Sequence, residues 1–527
     1  MGLPDLYPAQ VGSPFTTLAA SYTTGAATMT VTDATKLPNA PNIVCLAGSV
    51  SGEFRYTGKD GNILQGVTAL PGSPAATTWP AGTFAFRGIA AYDTNALQTR
   101  ATSVQNQVDF LAMLNSPIIG IEWDTASTSP TLTRIDAAGN EIEALDPTFF
   151  DKHAVFGTRW RCTRTRATGA IEFGPNARGD GLDLTGVLAD VLVRKQAFYV
   201  KHEFDDGTDL ARYWVSSRPT NGFSLHPYWY MRGGGVPSPV MYGGAYESYG
   251  YLDGSTFKLG SATGKTPVTG GVAYPDLPNS GRFHINDAEA YAGNIGPGFG
   301  CESFWGYCAD QLLMYIEYGT FDIQTALGKG IVDLASGTDF AGKQTGADSI
   351  DSRLAENGTG TGSGVDGQTP VCWRGIENPY GNVWKFIIGA NVYLDGTFRL
   401  IRRDGLGTLA GTLAEGSYES GSGLPLTNGY ISGLLHTDLA EVAFLPSAAT
   451  GADNSYLADY WYACTANGNI LLAGGYWYGA RSAGPGCRYA SSGPTDSYRN
   501  LGARLEFRPP PVSYTHMTLP TKRIAKT

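Results

Sequence analysis

Seven cysteines, at positions 45, 162, 301, 308, 372, 464 and 487, and six histidines, His153, His202, His226, His284, His436 and His516, are the side chains of this 527-residue chain best suited to nucleophilic or metal chemistry. Their spacing favours neither. No CxxC pair, no HExxH and no tight Cys/His grouping occurs, so no metal is assigned and buried free thiols are the expectation. Hydrolysis of a glycan by paired carboxylates could draw on Glu302, Asp310 and Glu317, but solvated charge on a helix is the expectation for these three. No catalytic residue and no cofactor is assigned.

Reversible binding is the other chemistry that the residue types allow. The stretch AGGYWYGARSAGPGCRYASSGPTDSYRNLGARLEF, Ala473–Phe507, sets Tyr476, Tyr478, Arg481, Cys487, Arg488, Tyr489 and Tyr498 among small residues, in an order that no helical or strand period explains. A mixture of this kind needs a frame from other elements.

Composition says what those elements are. Charged residues make up 16% of the chain and aromatics 12%, with 70 glycines and 30 prolines among Thr- and Ser-rich segments, which favours short strands and turns over long helices. The net charge of -10 is spread along the chain, and no Lys/Arg cluster interleaved with aromatics suggests nucleic acid as a partner. The start MGLPDLYPAQVGSP lacks the pattern of a signal peptide, and no apolar run is long enough for membrane insertion, so a soluble protein made in a cytoplasm is expected. The length suggests several domains.

After an N-terminal segment, 1–14, residues 15–88 read as a small β module. Ala27, Met29 and Val31 alternate with Thr28, Thr30 and Thr32, and Lys59-Asp60-Gly61-Asn62 offers a turn between EFRYT and ILQGV. Over 89–115 the period changes. Leu97, Ala101, Val104, Val108 and Leu111 recur at spacings of four, three, four and three, which fits a coiled-coil neck, with a trimer as the preferred state, or one amphipathic helix packed on a neighbour. Residues 116–186 read as a β-rich connecting region, ended upstream by Asn115-Ser116-Pro117. Beyond 187 the main helical signal is Ser303 through Tyr318, where Trp305, Ala309, Leu312, Leu313 and Ile316 make one apolar stripe expected to pack on a sheet. Residues 335–369, rich in Gly, Ser, Thr and Asp, read as a loop or insertion.

Three segments carry a resemblance. WRGIENPYGNVWKFIIGANV from Trp373, EVAFLPSAATGADNSYLADYWYA from Glu441 to Ala463, and the Ala473–Phe507 stretch together resemble the C-type-lectin-fold target proteins of phage diversity-generating retroelements. QLLMYIEYGTFDIQTALGKGI and FSLHPYWY extend the likeness, which spans roughly 187–508, and the 15–88 unit separately resembles small β-domains of phage tail and baseplate proteins. The resemblance implies an α+β, β-rich chain with a small N-terminal β module for virion attachment, a short coiled-coil neck and a large C-type-lectin-like domain over 187–511. It also implies a phage tail receptor-binding protein at the tail tip or fibre, with a host bacterial surface receptor, protein or glycan, and other phage tail proteins as partners.

In such proteins an adenine-directed copying process varies the terminal repeat, and the varied side chains line the exposed face. Carried over residue by residue, that face is Tyr476, Tyr478, Arg481, Ser482, Cys487, Arg488, Tyr489, Ser491, Ser492, Asp496 and Tyr498. The frame is Trp373, Arg374, Gly375, Glu377, Asn378, Gly381, Asn382, Trp384, Gly474, Gly475, Trp477, Gly479, Gly484, Gly502 and Arg504, with Glu377, Asn378 and Asn382 expected to hydrogen-bond loop backbone. Tyrosine gives large rigid area with few torsions, arginine a forked donor, and serine an adaptable one. The same fold hosts formylglycine-generating oxidases, but these need two closely spaced reactive cysteines in the terminal segment, and this chain offers Cys487 alone. A structural tail component and a tail depolymerase remain as alternatives. Residues 512–527, VSYTHMTLPTKRIAKT, resemble translated adapter sequence and are set aside as a non-native tail.

Overall fold

The computed structural model describes residues 15–37, 39–47, 51–71, 73–87, 117–146, 148–270, 276–278, 282–334 and 366–510. The expected neck, the segments 1–14 and 512–527, and 335–365 of the Gly/Ser-rich run lie outside them. The chain divides into two compact units, 1–111 and 112–527.

In the first unit the Thr/apolar alternation does what period two requires: Met29 and Val31 are buried while Thr28 faces solvent. Five strands, in the spatial order Phe15–Thr17, Phe84–Arg87, Asn42–Ala47, Ser51–Tyr56, Thr68–Ala69, form an antiparallel sheet. Gly58–Asp60 and Ile63–Gln65 pair across Gly61 and Asn62, with Gly61 at φ +55°, a backbone state that glycine adopts without a Cβ penalty. Asn62 then ties the turn inward, accepting from Ala34 N at 3.0 Å and donating to Thr32 O at 2.9 Å. Phe54 meets Tyr22 and Trp79 edge-on at the core, centred 5.1 Å from Tyr22 and 5.2 Å from Trp79.

The second unit is β-rich with few helices, an α+β arrangement of three main sheets. A five-stranded sheet runs Thr133–Ile135, Ile119–Asp124, Leu210–Ser216, Tyr199–Asp205, Ser224–Leu225. A six-stranded sheet runs Ile171–Phe173, Arg161–Thr165, Ala189–Gln196, Val240–Glu247, Arg504–Phe507, Phe299–Cys301. The largest sheet contains, in order, Tyr418–Gly421, Phe398–Ile401, Trp384–Val392, Asn469–Gly474, Gly484–Ser492, Tyr460–Tyr462 and Gly429–Tyr430, and Leu501–Gly502 pairs in parallel with Trp384–Val392.

These pairings correct one expected boundary. Strand 119–124 pairs with 210–216, and strand 161–165 pairs with 189–196, so residues on both sides of 186/187 share sheets and hydrogen bonds. Nothing in the local sequence distinguishes such strands from a separate connecting region, because the partners of a strand are set by topology.

The helix Phe304–Tyr318 starts where the sequence predicts, with the Ser303 hydroxyl accepting from Gly306 N and Gly319 ending it in the left-handed region at φ +64°. Its burial differs from the expected single stripe: every residue from Phe304 to Ile316 is buried. Sheets enclose the helix, so its polar positions are satisfied internally. Asp310 accepts from Arg159 at 2.9 Å and from Lys195 at 2.8 Å, and Glu317 from Arg374 and from Trp373 Nε1 at 2.8 Å. Glu302, buried just ahead of the helix, lies 3.9 Å from Lys195, and burial holds its carboxyl above the usual range. Solvated charge is therefore the wrong expectation for all three carboxylates.

Candidate functional site

Alternation along strand 484–492 decides which terminal residues reach a surface. Cys487 and Tyr489 point to one side, and Arg488 and Ala490 to the other, toward the long helix; a register shift between the Tyr489 and Ser492 pairings interrupts the alternation beyond them. On the helix side Arg488 is completely buried, donates to Pro485 O at 2.7 Å and to Gln311 Oε1, and lies over the Tyr307 ring at 4.7 Å. Ser492 is buried too. Cys487 occupies the deep end of the opposite side, packed with Phe386, Ile470 and Leu472, and burial pushes its thiol well above the ordinary value. Arg488, Ser492 and Cys487 are therefore removed from the expected face; they are part of what supports it.

The remaining candidates are accessible. Tyr478 and Tyr498 are 51% and 44% exposed, and Tyr476, Arg481, Ser482, Tyr489, Ser491 and Asp496 are partly so. Their positions are fixed from below. Trp384, 3% exposed, lies 5.9 Å from Tyr462, 5.9 Å from Tyr476 and 5.4 Å from Tyr489, centroid to centroid, and so acts as a floor for three tyrosines.

Three further tyrosines belong to this surface although the sequence reading did not select them. Tyr430, Tyr460, Tyr462 and Tyr489 form a contiguous row, with successive centroids 4.9, 4.6 and 5.1 Å apart. The signal was present in Tyr460-Trp461-Tyr462: in a strand the central residue faces away from its neighbours, and Trp461 is fully buried while both tyrosines are partly exposed. The Ser482 side chain acts on the hydroxyls of both Tyr430 and Tyr462, opposing the effect of burial on each, and so stands beside the row.

The turn carrying Tyr476, Tyr478 and Ser482 is clamped at several points. Arg481 binds Asp322 through both terminal guanidinium nitrogens, at 2.8 and 3.2 Å. Gln324 donates to Ala480 O and Ala483 O, and the backbone of Leu334 and Ala480 bonds to Trp477 O and Val332 O. At Gly484, with φ +148°, an added Cβ would stand 1.8 Å from Asp459 Oδ1, and Asp459 accepts from Gly486 N at 2.6 Å. Only glycine fits there.

The expected frame residues occupy the interior. Trp373, Trp384, Trp461 and Trp477 are all buried. Arg504 donates to Gly244 O, Glu377 O and Asn378 O at 2.9, 2.6 and 3.0 Å, joining the last strand to the 374–382 loop. That loop runs through left-handed positions at Arg374, Gly375, Asn378, Gly381 and Asn382. Asn378 and Asn382 do not bond loop backbone as expected; both side chains donate to the buried Glu247, which also lies 3.2 Å from Lys385 Nζ. Glu377 is fully buried beside them. A carboxylate from strand 240–247 supplies more acceptor capacity than a loop carbonyl, and the asparagines and Lys385 share it.

The fold and site define a β-rich α+β protein that presents a tyrosine-lined surface on a hydrogen-bonded, ion-paired frame. The chain is similar to three solved structures, the Major Tropism Determinant U1, M1 and I1 variants, at 12%, 13% and 13% identity and a TM-score of 0.21 in each case. The matches cover 73% of this chain and 84%, 82% and 84% of those chains. No family model and no curated protein matches the chain. Among the described residues no helix is long and apolar enough to cross a membrane.

Proposed function

We propose that this chain is a phage tail receptor-binding protein, in which a C-type-lectin-like domain adsorbs the particle to the host bacterial surface through its tyrosine-lined face. The observation that carries the reading is the division within residues 473–507: Tyr476, Tyr478, Ser482, Tyr489 and Tyr498 reach solvent, while Trp477, Cys487, Arg488 and Arg504 are buried beneath them. Tyrosine-rich, partly exposed side chains on fixed backbone are the composition of an adaptable recognition surface. The order of motifs from Trp373 to Phe507 supports the same reading. In it, residues 15–88 attach to other tail proteins, 89–115 join chains as a trimer, and avidity multiplies weak single contacts. No catalysis, metal or cofactor is invoked.

The test is adsorption of the purified chain to a panel of bacterial strains, beside the triple variant Tyr476→Ala, Tyr478→Ala, Tyr489→Ala. Strain-specific binding that the triple variant loses supports the reading. Binding unchanged by the variant overturns this face as the site, and normal incorporation into tails without binding to any strain favours a structural tail component.

A further inference from the structure

The charge around the tyrosine row is one-sided. Between 473 and 507 the basic residues are Arg481, Arg488, Arg499 and Arg504; the last three are buried, and Arg481 is held by Asp322. Arg481, the one partly exposed cation there, acts on Tyr430 and bonds Asp453 O at 2.8 Å, but its charge is matched by Asp322. Carboxylates are present at both ends of the row: exposed Asp453 acts electrostatically on Tyr430, and half-exposed Asp496 on Tyr489. Neither forms an ion pair among the described residues, and Asp496 accepts a hydrogen bond from Gly493 N at 2.9 Å. Ring faces carry a negative quadrupole, so a row of tyrosines between two unpaired carboxylates attracts cations and repels anions.

The ring geometry narrows the partner. Within the row the interplanar angles are 88°, 52° and 48°, so successive rings form a corrugated surface rather than one continuous flat platform. Clefts between tilted rings suit long side chains with a cationic tip.

We propose that the row Tyr430, Tyr460, Tyr462 and Tyr489, flanked by Asp453 and Asp496, docks lysine or arginine side chains of a protein partner. The proposal rests on the receptor-binding reading above and gives that face a chemistry. Three of its four rings lie outside 473–507, so cation preference is a property of the constant part of the surface, and substitutions in the terminal segment refine it.

The test uses the full chain and three probes: a lysine/arginine-rich peptide, its glutamate-substituted counterpart and a neutral oligosaccharide. The basic peptide binds and the other two do not. Asp453→Asn with Asp496→Asn weakens that binding about tenfold, as does Tyr460→Ala with Tyr462→Ala, whereas Tyr460→Phe with Tyr462→Phe stays within about threefold because the ring faces remain. Glu143→Gln with Glu172→Gln removes two exposed carboxylates elsewhere and leaves binding unchanged, which separates a site from the pull of net charge. Equal loss in both carboxylate pairs, or tighter binding of the acidic peptide or the oligosaccharide, overturns the proposal. Its failure is distinguishable from that of the receptor reading: strain-specific adsorption unaffected by Asp453→Asn with Asp496→Asn sinks only the cation preference, and peptide binding without adsorption to any strain sinks only the receptor role.

Discussion

Arg481 and Asp322 face each other across two hydrogen bonds, 2.8 and 3.2 Å long, and Asp322 at the same time caps the short helix Ile323–Ala326 by accepting from Thr325 N at 3.1 Å. One carboxylate therefore fixes both the helix start and the turn that displays Tyr476, Tyr478 and Ser482.

Asp322→Asn keeps the cap and removes the ion pair. With the two side chains 28% and 13% exposed, a stability loss of about 1 kcal/mol or less is expected, together with faster amide exchange over 478–483. Burial raises the Asp322 carboxyl, but the bonds from Arg481 and Thr325 outweigh it and hold its pKa below the ordinary value. The contribution is thus complete above the unfolded value of about 4 and fades as pH falls through the lower folded value, so wild type and variant converge in stability only in that acid window. Unfolding measured across pH checks both statements.

Glu247→Gln leaves Lys385 buried without its counter-ion. Burial already lowers Lys385 to about 8, and Glu247 opposes that shift. Removal of the carboxylate is expected to cost about 3–5 kcal/mol at neutral pH. A lysine whose folded pKa lies below its unfolded one binds fewer protons folded than unfolded, so stability rises with pH between the two values. That rise begins near pH 8 in the wild type and lower in the variant, and urea unfolding from pH 6 to 9 would show whether it does.

Cys487 is expected to resist alkylation in the native protein at pH 8, since burial excludes reagent and raises the thiol. Partly exposed Cys464 and Cys372 should react first. Mass-spectrometric mapping after brief treatment with iodoacetamide reads the order, and early labelling of Cys487 would place it back on the surface.

Trp384→Ala removes the floor under Tyr462, Tyr476 and Tyr489. A loss of about 3–5 kcal/mol is expected, and Trp384→Phe should recover more than half of it. Weakened ligand binding by folded Trp384→Phe would mark the floor as setting the height of the face as well as filling the core.

Much of this was readable from residue order. The Asp60-Gly61 turn, the Ser303 start of the long helix and the alternating Thr28-to-Val31 strand follow from local rules that operate within a few residues. The face was harder. Tyr489 and Arg488 are neighbours of similar bulk, and only the parity of strand 484–492 sends one outward and the other inward against the Tyr307 ring. Tyr430 joins the row because Gly429–Tyr430 pairs with Tyr460–Tyr462, a contact across some thirty residues that no local pattern announces. Glu247 as the shared partner of Asn378, Asn382 and Lys385 comes from still farther away, on a strand of another sheet.

Strand 504–507 lies inside the six-stranded sheet, between 240–247 and 299–301, although it follows every other strand of that sheet in the chain. During synthesis strand 299–301 waits without this neighbour while some two hundred residues are added, and the sheet closes only after everything from 473 to 503 has emerged. A chain whose terminal segment cannot fold leaves that gap open and is exposed to quality control before it meets any surface. On the proposed receptor-binding reading, substitutions between Ala473 and Phe507 would pass through two filters in sequence, first closure of the sheet and then the ligand.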